Sequence, residues 1–240
     1  EELDPLLRDY YGKHPEIFQQ DVINLRDILP RLSEDRHKYS DKYIIAKAWA
    51  NAMGAVGPPP VNEPPEVSDF PVNRRTGEPA FKHTMKSPAQ TSKLIKKIAH
   101  ELGSSLVGIA VLNHDWVYGY PHRNRGFEPD KPVKVPAHWK YAIVVGSPMS
   151  WDALYASPTY SASNDAYSRS RIIGYRLASF IKQLGYAARP HVPSNSYDLM
   201  VPPICIDAGL GEQGRHSVLI TPELGSNFRP SVVTTDIPLQ

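Results

Sequence analysis

Cysteine is almost missing from this chain of 240 residues. The single Cys205 excludes a disulfide framework, and these residues alone supply no four-cysteine iron–sulfur cluster. Flanked by Ile204 and Ile206, that cysteine reads as a small buried residue rather than a nucleophile. Long hydrophobic runs are lacking as well, since stretches such as Leu106–Leu112 and Ala142–Val145 fall far short of the roughly 20 residues a bilayer-crossing helix needs. The first residues show no secretory or twin-arginine pattern, and none is expected. Charge of one sign is also absent: 27 basic residues face 25 acidic ones, for a net +2. Without a basic stripe interleaved with aromatics, a nucleic-acid partner is not expected. There is no internal repeat, and the nine histidines show no paired zinc-ligand spacing, so no metal site is assigned.

What is present suits a folded protein. Apolar residues make up 41% of the chain, enough for one sizeable core or two modest ones. Residues 1–86 read as a covering segment, with one helix over Asp41–Met53 and a proline-rich linker at Gly57–Pro65 that can continue neither a helix nor a central strand. From residue 87 the text becomes regular. Ser87 can cap a helix with Pro88 in its first turn and Gln90 at the capping-box position. Leu94, Ile95, Ile98, Ala99 and Leu102 share one face of it, and Gly103 stops it. Ser105–Leu112 and Trp139–Gly146 read as strands. Between them runs a long polar connection, Asn113–His138, rich in aromatics. A second helix is predicted from Asn164 or Asp165 to Leu184, ended by Gly185, with a strand over Tyr186–Arg189 after it. This irregular alternation predicts an α+β layer fold on a mixed sheet.

The densest signal lies at Pro202–Leu239. Ile204, Cys205 and Ile206 read as a buried strand delivering a loop with Gly209, Gly211 and Gly214, whose backbone could approach something large and flat. The spacing matches G-x-G-x-x-G, but a dinucleotide site needs a helix opening at the third glycine. Arg215–Pro222 instead reads as strand then proline, which disfavours nicotinamide and flavin dinucleotides.

The wording of this stretch resembles the catalytic subunits of the cobalamin-dependent reductive dehalogenases. Four pieces carry the resemblance: Ala208–Glu212 with Gly214 and Arg215, Leu219–Glu223 with Gly225, Arg229, and Thr235–Leu239. It reaches upstream to about Ser87, and epoxyqueuosine reductase shares fewer of these residues. The resemblance implies a nitroreductase-like cobalamin-binding core over residues 87–240 and reductive removal of halogen from an organohalide at a corrinoid cobalt. No side chain supplies such reducing power, so a cofactor must.

By the same resemblance Tyr167, in a Tyr-Ser context ahead of Phe180, Ile181, Leu184, Gly185 and Tyr186, is the proton donor, with Asn195 and Arg229 supporting its phenolate. A phenol with a reference pKa of about 10 needs such help near neutral pH. The corrinoid contacts implied are Gly209, Leu210, Gly211, Glu212, Arg215, His216, Ser217, Leu219 and Thr221, with His216 as a tail or phosphate contact. Trp116 and Ser163 are the implied substrate-pocket residues. The family also carries two [4Fe–4S] clusters on cysteine motifs beyond the Thr235–Leu239 element, for which this chain has no ligands. Electrons are then expected from a ferredoxin-like part absent here or from a separate donor protein, with a membrane-anchor subunit as a further partner. Respiratory members act on the outer face of the cytoplasmic membrane and others in the cytosol. The alternatives are a cobalamin carrier or chaperone and an epoxyqueuosine-reductase-like protein.

Overall fold

In a computed structural model of the protein, the structure describes residues 5–23, 44–45, 48, 82–119, 133–155, 161–191 and 198–240. The chain divides into two compact units, Glu1–Ile45 and Ala46–Gln240. The first holds two short helices, α1 (Pro5–Lys13) and α2 (Pro15–Ile23). Most of the predicted Asp41–Met53 helix and the proline-rich linker lie outside the described residues.

The second unit opens with helix α3 (Pro88–Glu101), built as its sequence dictates. Ser87 stands in extended conformation and its hydroxyl accepts from Gln90 N at 3.3 Å, satisfying one of the amides the first turn leaves unpaired. Ile95, Ile98 and Ala99 are buried on one face. Strand β1 (Leu106–Val111) follows, then a 3-10 turn at His114–Trp116 and strand β2 (Tyr141–Pro148). A short helix, α4 (Trp151–Tyr155), precedes the long helix α5 (Ser161–Gln183), which starts a few residues before the predicted onset and buries Ile173, Leu177, Phe180 and Ile181. Strand β3 covers Ala188–His191, shifted by two residues from the predicted span.

The run at 201–207 is a correction. Ile204–Ile206 is not a strand but part of a helix, α6 (Val201–Asp207), with buried Val201, Ile204 and Cys205 at helical spacing. Two prolines fall in its first turn, where a missing N–H costs nothing, and a run this short cannot be told from a strand by periodicity. After it come two-residue strands β4 (Glu212–Gln213) and β5 (Leu219–Ile220), which pair as a small hairpin. The long strand β6 (Phe228–Thr235) closes the core.

The main sheet has order β1-β2-β6-β3. The α+β layered core is as expected, and every pairing among its described strands is antiparallel. β6 lies centrally, although Pro230 argues against a central strand. Among the described residues β3 pairs only with Val232–Thr235, and Pro230 lies opposite Gly146 of β2. Period-2 alternation separates two faces. Ala142, Val144, Phe228 and Val232 pack with Ile204 and Cys205 of α6, while Ser147 and Arg229, paired across β2 and β6, point to the other side, toward α5.

The Thr235–Leu239 motif is a clasp. Thr235 Oγ1 donates to Ala187 O at 2.6 Å, and Asp236 Oδ1 accepts from Ala187 N at 2.7 Å. Lys82 reaches Asp236 Oδ2 at 3.3 Å and lies 4.4 Å from the centroid of Tyr186, whose hydroxyl donates to His83 O. Residues ahead of α3 are thus tied to the end of α5.

Candidate functional site

Two clusters of candidate residues emerge, one on each face of the sheet. On the α5 face, Tyr167 and Ser163 stand one turn apart near the start of the helix, and both are half-buried. Arg229, second residue of β6, reaches them: its Nη2 donates to Ser163 Oγ at 3.0 Å and its Nη1 to Phe228 O at 3.0 Å. The guanidinium carbon lies 5.4 Å from the centroid of the Tyr167 ring, within cation–π range. Arg229 Nε is buried and has no hydrogen-bond partner among the described residues. Met149, whose sulfur receives the Ser163 hydroxyl at 3.8 Å, and Asn227, which donates to Met149 O at 3.1 Å, complete the surround.

Three candidates named from sequence, Ser163, Tyr167 and Arg229, therefore meet at one place. Asn195 lies outside the described residues. Trp116 does not join this group. Its ring packs on the α6-side core and its Nε1 donates to Asp207 Oδ2 at 2.9 Å. Sequence reasoning passed over Ser147, Met149 and Asn227; the polar residue closing the apolar strand Tyr141–Pro148 was the one visible sign of the first.

On the opposite face the glycine loop follows α6. Gly209, at φ +71°, ends the helix in a left-handed turn: Gly209 N bonds Ile206 O at 2.8 Å and Leu210 N bonds Cys205 O at 3.0 Å. Gly211 answers to close approach, because a Cβ there would lie 2.1 Å from Ile220 O in the facing strand of the hairpin. Gly108 in β1 does the same from the other side, where a Cβ would meet Ala208 Cβ at 2.7 Å and Leu210 Cγ at 2.9 Å. That tie, between residues far apart in sequence, gave no local signal. The glycines are thus explained largely by the chain packing on itself. Cys205 beneath them is fully buried and its thiol is pushed up to about 12 by burial, which leaves it inert as a nucleophile.

One side of the loop is nonetheless open. Gly209 has nothing within 4 Å of a Cβ position, and Val218 and Ile220 expose 41% and 45% of their surface beside it. Arg215, His216 and Ser217 are exposed beside them, while Leu219 and Thr221 are buried in the hairpin base. This mixture of open backbone, apolar side chains and basic groups fits a corrinoid, a macrocycle with a polar, phosphate-bearing tail. Among the described residues no group of three or more His, Cys, Asp or Glu could hold a metal ion, and no helix is long and apolar enough to cross a membrane.

No protein-family model matches the chain. It is 32% identical over 189 residues to the tetrachloroethene reductive dehalogenase of Dehalobacter restrictus, covering 64% of this chain and 34% of that protein. The tetrachloroethene reductive dehalogenase of Sulfurospirillum multivorans is 28% identical over 179 residues, covering 63% and 35%. The chain thus spans about a third of the length of the curated relatives it matches. Among solved structures, the catabolic reductive dehalogenase NpRdhA superposes with a TM-score of 0.58 at 23% identity, covering 82% of this chain and 26% of that one. That likeness concerns the fold. The chain is therefore similar in sequence to tetrachloroethene reductive dehalogenases over 64% of its length, and similar in fold to a reductive dehalogenase.

Proposed function

We propose that this chain provides the corrinoid and substrate half of a reductive dehalogenase, with Tyr167 as the proton donor. The reaction replaces a carbon–halogen bond by a carbon–hydrogen bond, taking up two electrons and one proton and releasing halide. A bound corrinoid would supply the electrons, held by the exposed face of the Gly209–Thr221 loop through Gly209, Glu212, Arg215, His216, Val218 and Ile220; because that loop and Tyr167 flank opposite faces of the sheet, the ring would have to reach round the Phe228 end of β6 to bring substrate to the phenol. The electrons reach it from a donor protein or a ferredoxin-like part.

The chain's own residues handle the proton. Tyr167 Oη gives it up as the new C–H bond forms, and the guanidinium of Arg229 stabilises the negative charge left on the phenol oxygen. Ser163 fixes that guanidinium through its 3.0 Å hydrogen bond. Asn195 is assigned to the same task by resemblance. The single observation carrying this reading is the position of Arg229 5.4 Å from the Tyr167 ring, on a chain related to tetrachloroethene reductive dehalogenases.

The test combines cobalamin titration with turnover of tetrachloroethene under a strong chemical reductant. Tyr167→Phe should keep the bound-cobalamin spectrum and lose about 100-fold or more in rate, the usual worth of a positioned general acid. Normal turnover by that variant would remove Tyr167 from the proposal. A wild-type chain that binds cobalamin and leaves halides untouched would instead be a carrier.

A further inference from the structure

Among the described residues Arg229 is a cation without a counter-ion. Its hydrogen bonds go to a carbonyl and a hydroxyl, both neutral, and no carboxylate pairs with it among the described residues. The nearby acid Asp165 is taken by Arg169, at 2.6 Å, and Arg169 also bonds Pro148 O. A guanidinium with a buried, unpartnered N–H is costly until an acceptor joins it. Directly across the ladder, on the same face, Ser147 is 1% exposed and its hydroxyl also lacks a partner among the described residues. Two orphaned buried donors on paired positions, one of them charged, define an anion-receptive corner beside Tyr167.

We propose that Arg229 Nε and Ser147 Oγ form a binding site for a small monoanion, the halide that dehalogenation releases. The site rests on the dehalogenase reading for the identity of its anion, though not for its existence. Holding the departing halide there draws it from the reacting carbon. The competing occupant is a structural water, which would also donate to the buried, unpartnered Oδ1 of Asn227.

The test needs neither cofactor nor turnover, so its failure is separable from a failure of the catalytic assignment. The full chain is made with 3-fluorotyrosine at position 167 and titrated with sodium bromide at constant ionic strength against sodium gluconate, reading the fluorine NMR shift. The wild type should show a saturable response that gluconate does not give. Ser147→Ala should weaken bromide binding about tenfold or more, the worth of a hydrogen bond to a charged group, while thermal stability stays equal or rises because an unsatisfied hydroxyl is removed. Arg229→Gln should abolish the response. Absence of saturation in the folded wild type, or equal binding by Ser147→Ala, would overturn the proposal in favour of a water.

Discussion

The two faces of the sheet differ in how their residues are satisfied. On the α6 side nearly every conspicuous feature has an internal partner: Gly209 caps a helix, Gly211 and Gly108 admit neighbouring backbone or side chains, and Trp116 is tied to Asp207. On the α5 side the reverse holds. Ser147, Asn227 and Arg229 each bury a polar atom that no described residue satisfies. Buried polar groups are normally paired, and these three exceptions are what the anion-site proposal rests on. The glycines of the most eye-catching motif are therefore explained largely by internal packing.

If that contrast is right, variants on the two sides should fail differently. The largest stability loss is expected for Gly211→Ala. Its methyl would sit 2.1 Å from Ile220 O, and overpacking against backbone should cost about 3 kcal/mol in urea unfolding, with the hairpin displaced. Gly108→Ala meets Ala208 and Leu210 at 2.7 and 2.9 Å and should cost about 2 kcal/mol. Asp236→Ala, which frees Ala187 N, should cost about 1.5 kcal/mol without touching the proton-donor site. Wild-type stability in both glycine variants would dissolve the claim that the α6 side is scaffold.

The smallest effect concerns pH. Asp198 Oδ2 lies 3.2 Å from the buried His191 ring; burial works to raise its carboxyl, but the hydrogen bond and charge of His191, with Arg189, hold it below the ordinary value. A depressed carboxyl contributes stability that is complete above its unfolded pKa and is lost as pH falls through the folded one. His191→Gln should therefore move the onset of acid unfolding to higher pH, and an unchanged onset would break the link.

The sequence was legible where local physics decides. The Ser87 cap, the apolar face of α3 and the long helix to Gln183 follow from spacing and capping alone. It was opaque where partners lie far away. α6 read as a strand because Ile204–Ile206 is too short to show its period, and the need for glycine at 108 is set by Ala208, a hundred positions on. Tyr167 and Arg229 came from resemblance rather than pattern; their contact is a product of the β6 register against β2 and the packing of α5. Ser147 had no signal beyond a polar letter in an apolar strand.

The claim that Tyr167 and Arg229 act as one proton-donating unit is tested most directly by a double-mutant cycle on the dehalogenation rate of the cobalamin-loaded chain. Tyr167→Phe alone removes the proton, so Arg229→Gln added to it should change the rate by less than about threefold, although Arg229→Gln alone slows the wild type about 100-fold. Losses that simply multiply in the double variant would mean that the two residues act independently, and the unit does not exist.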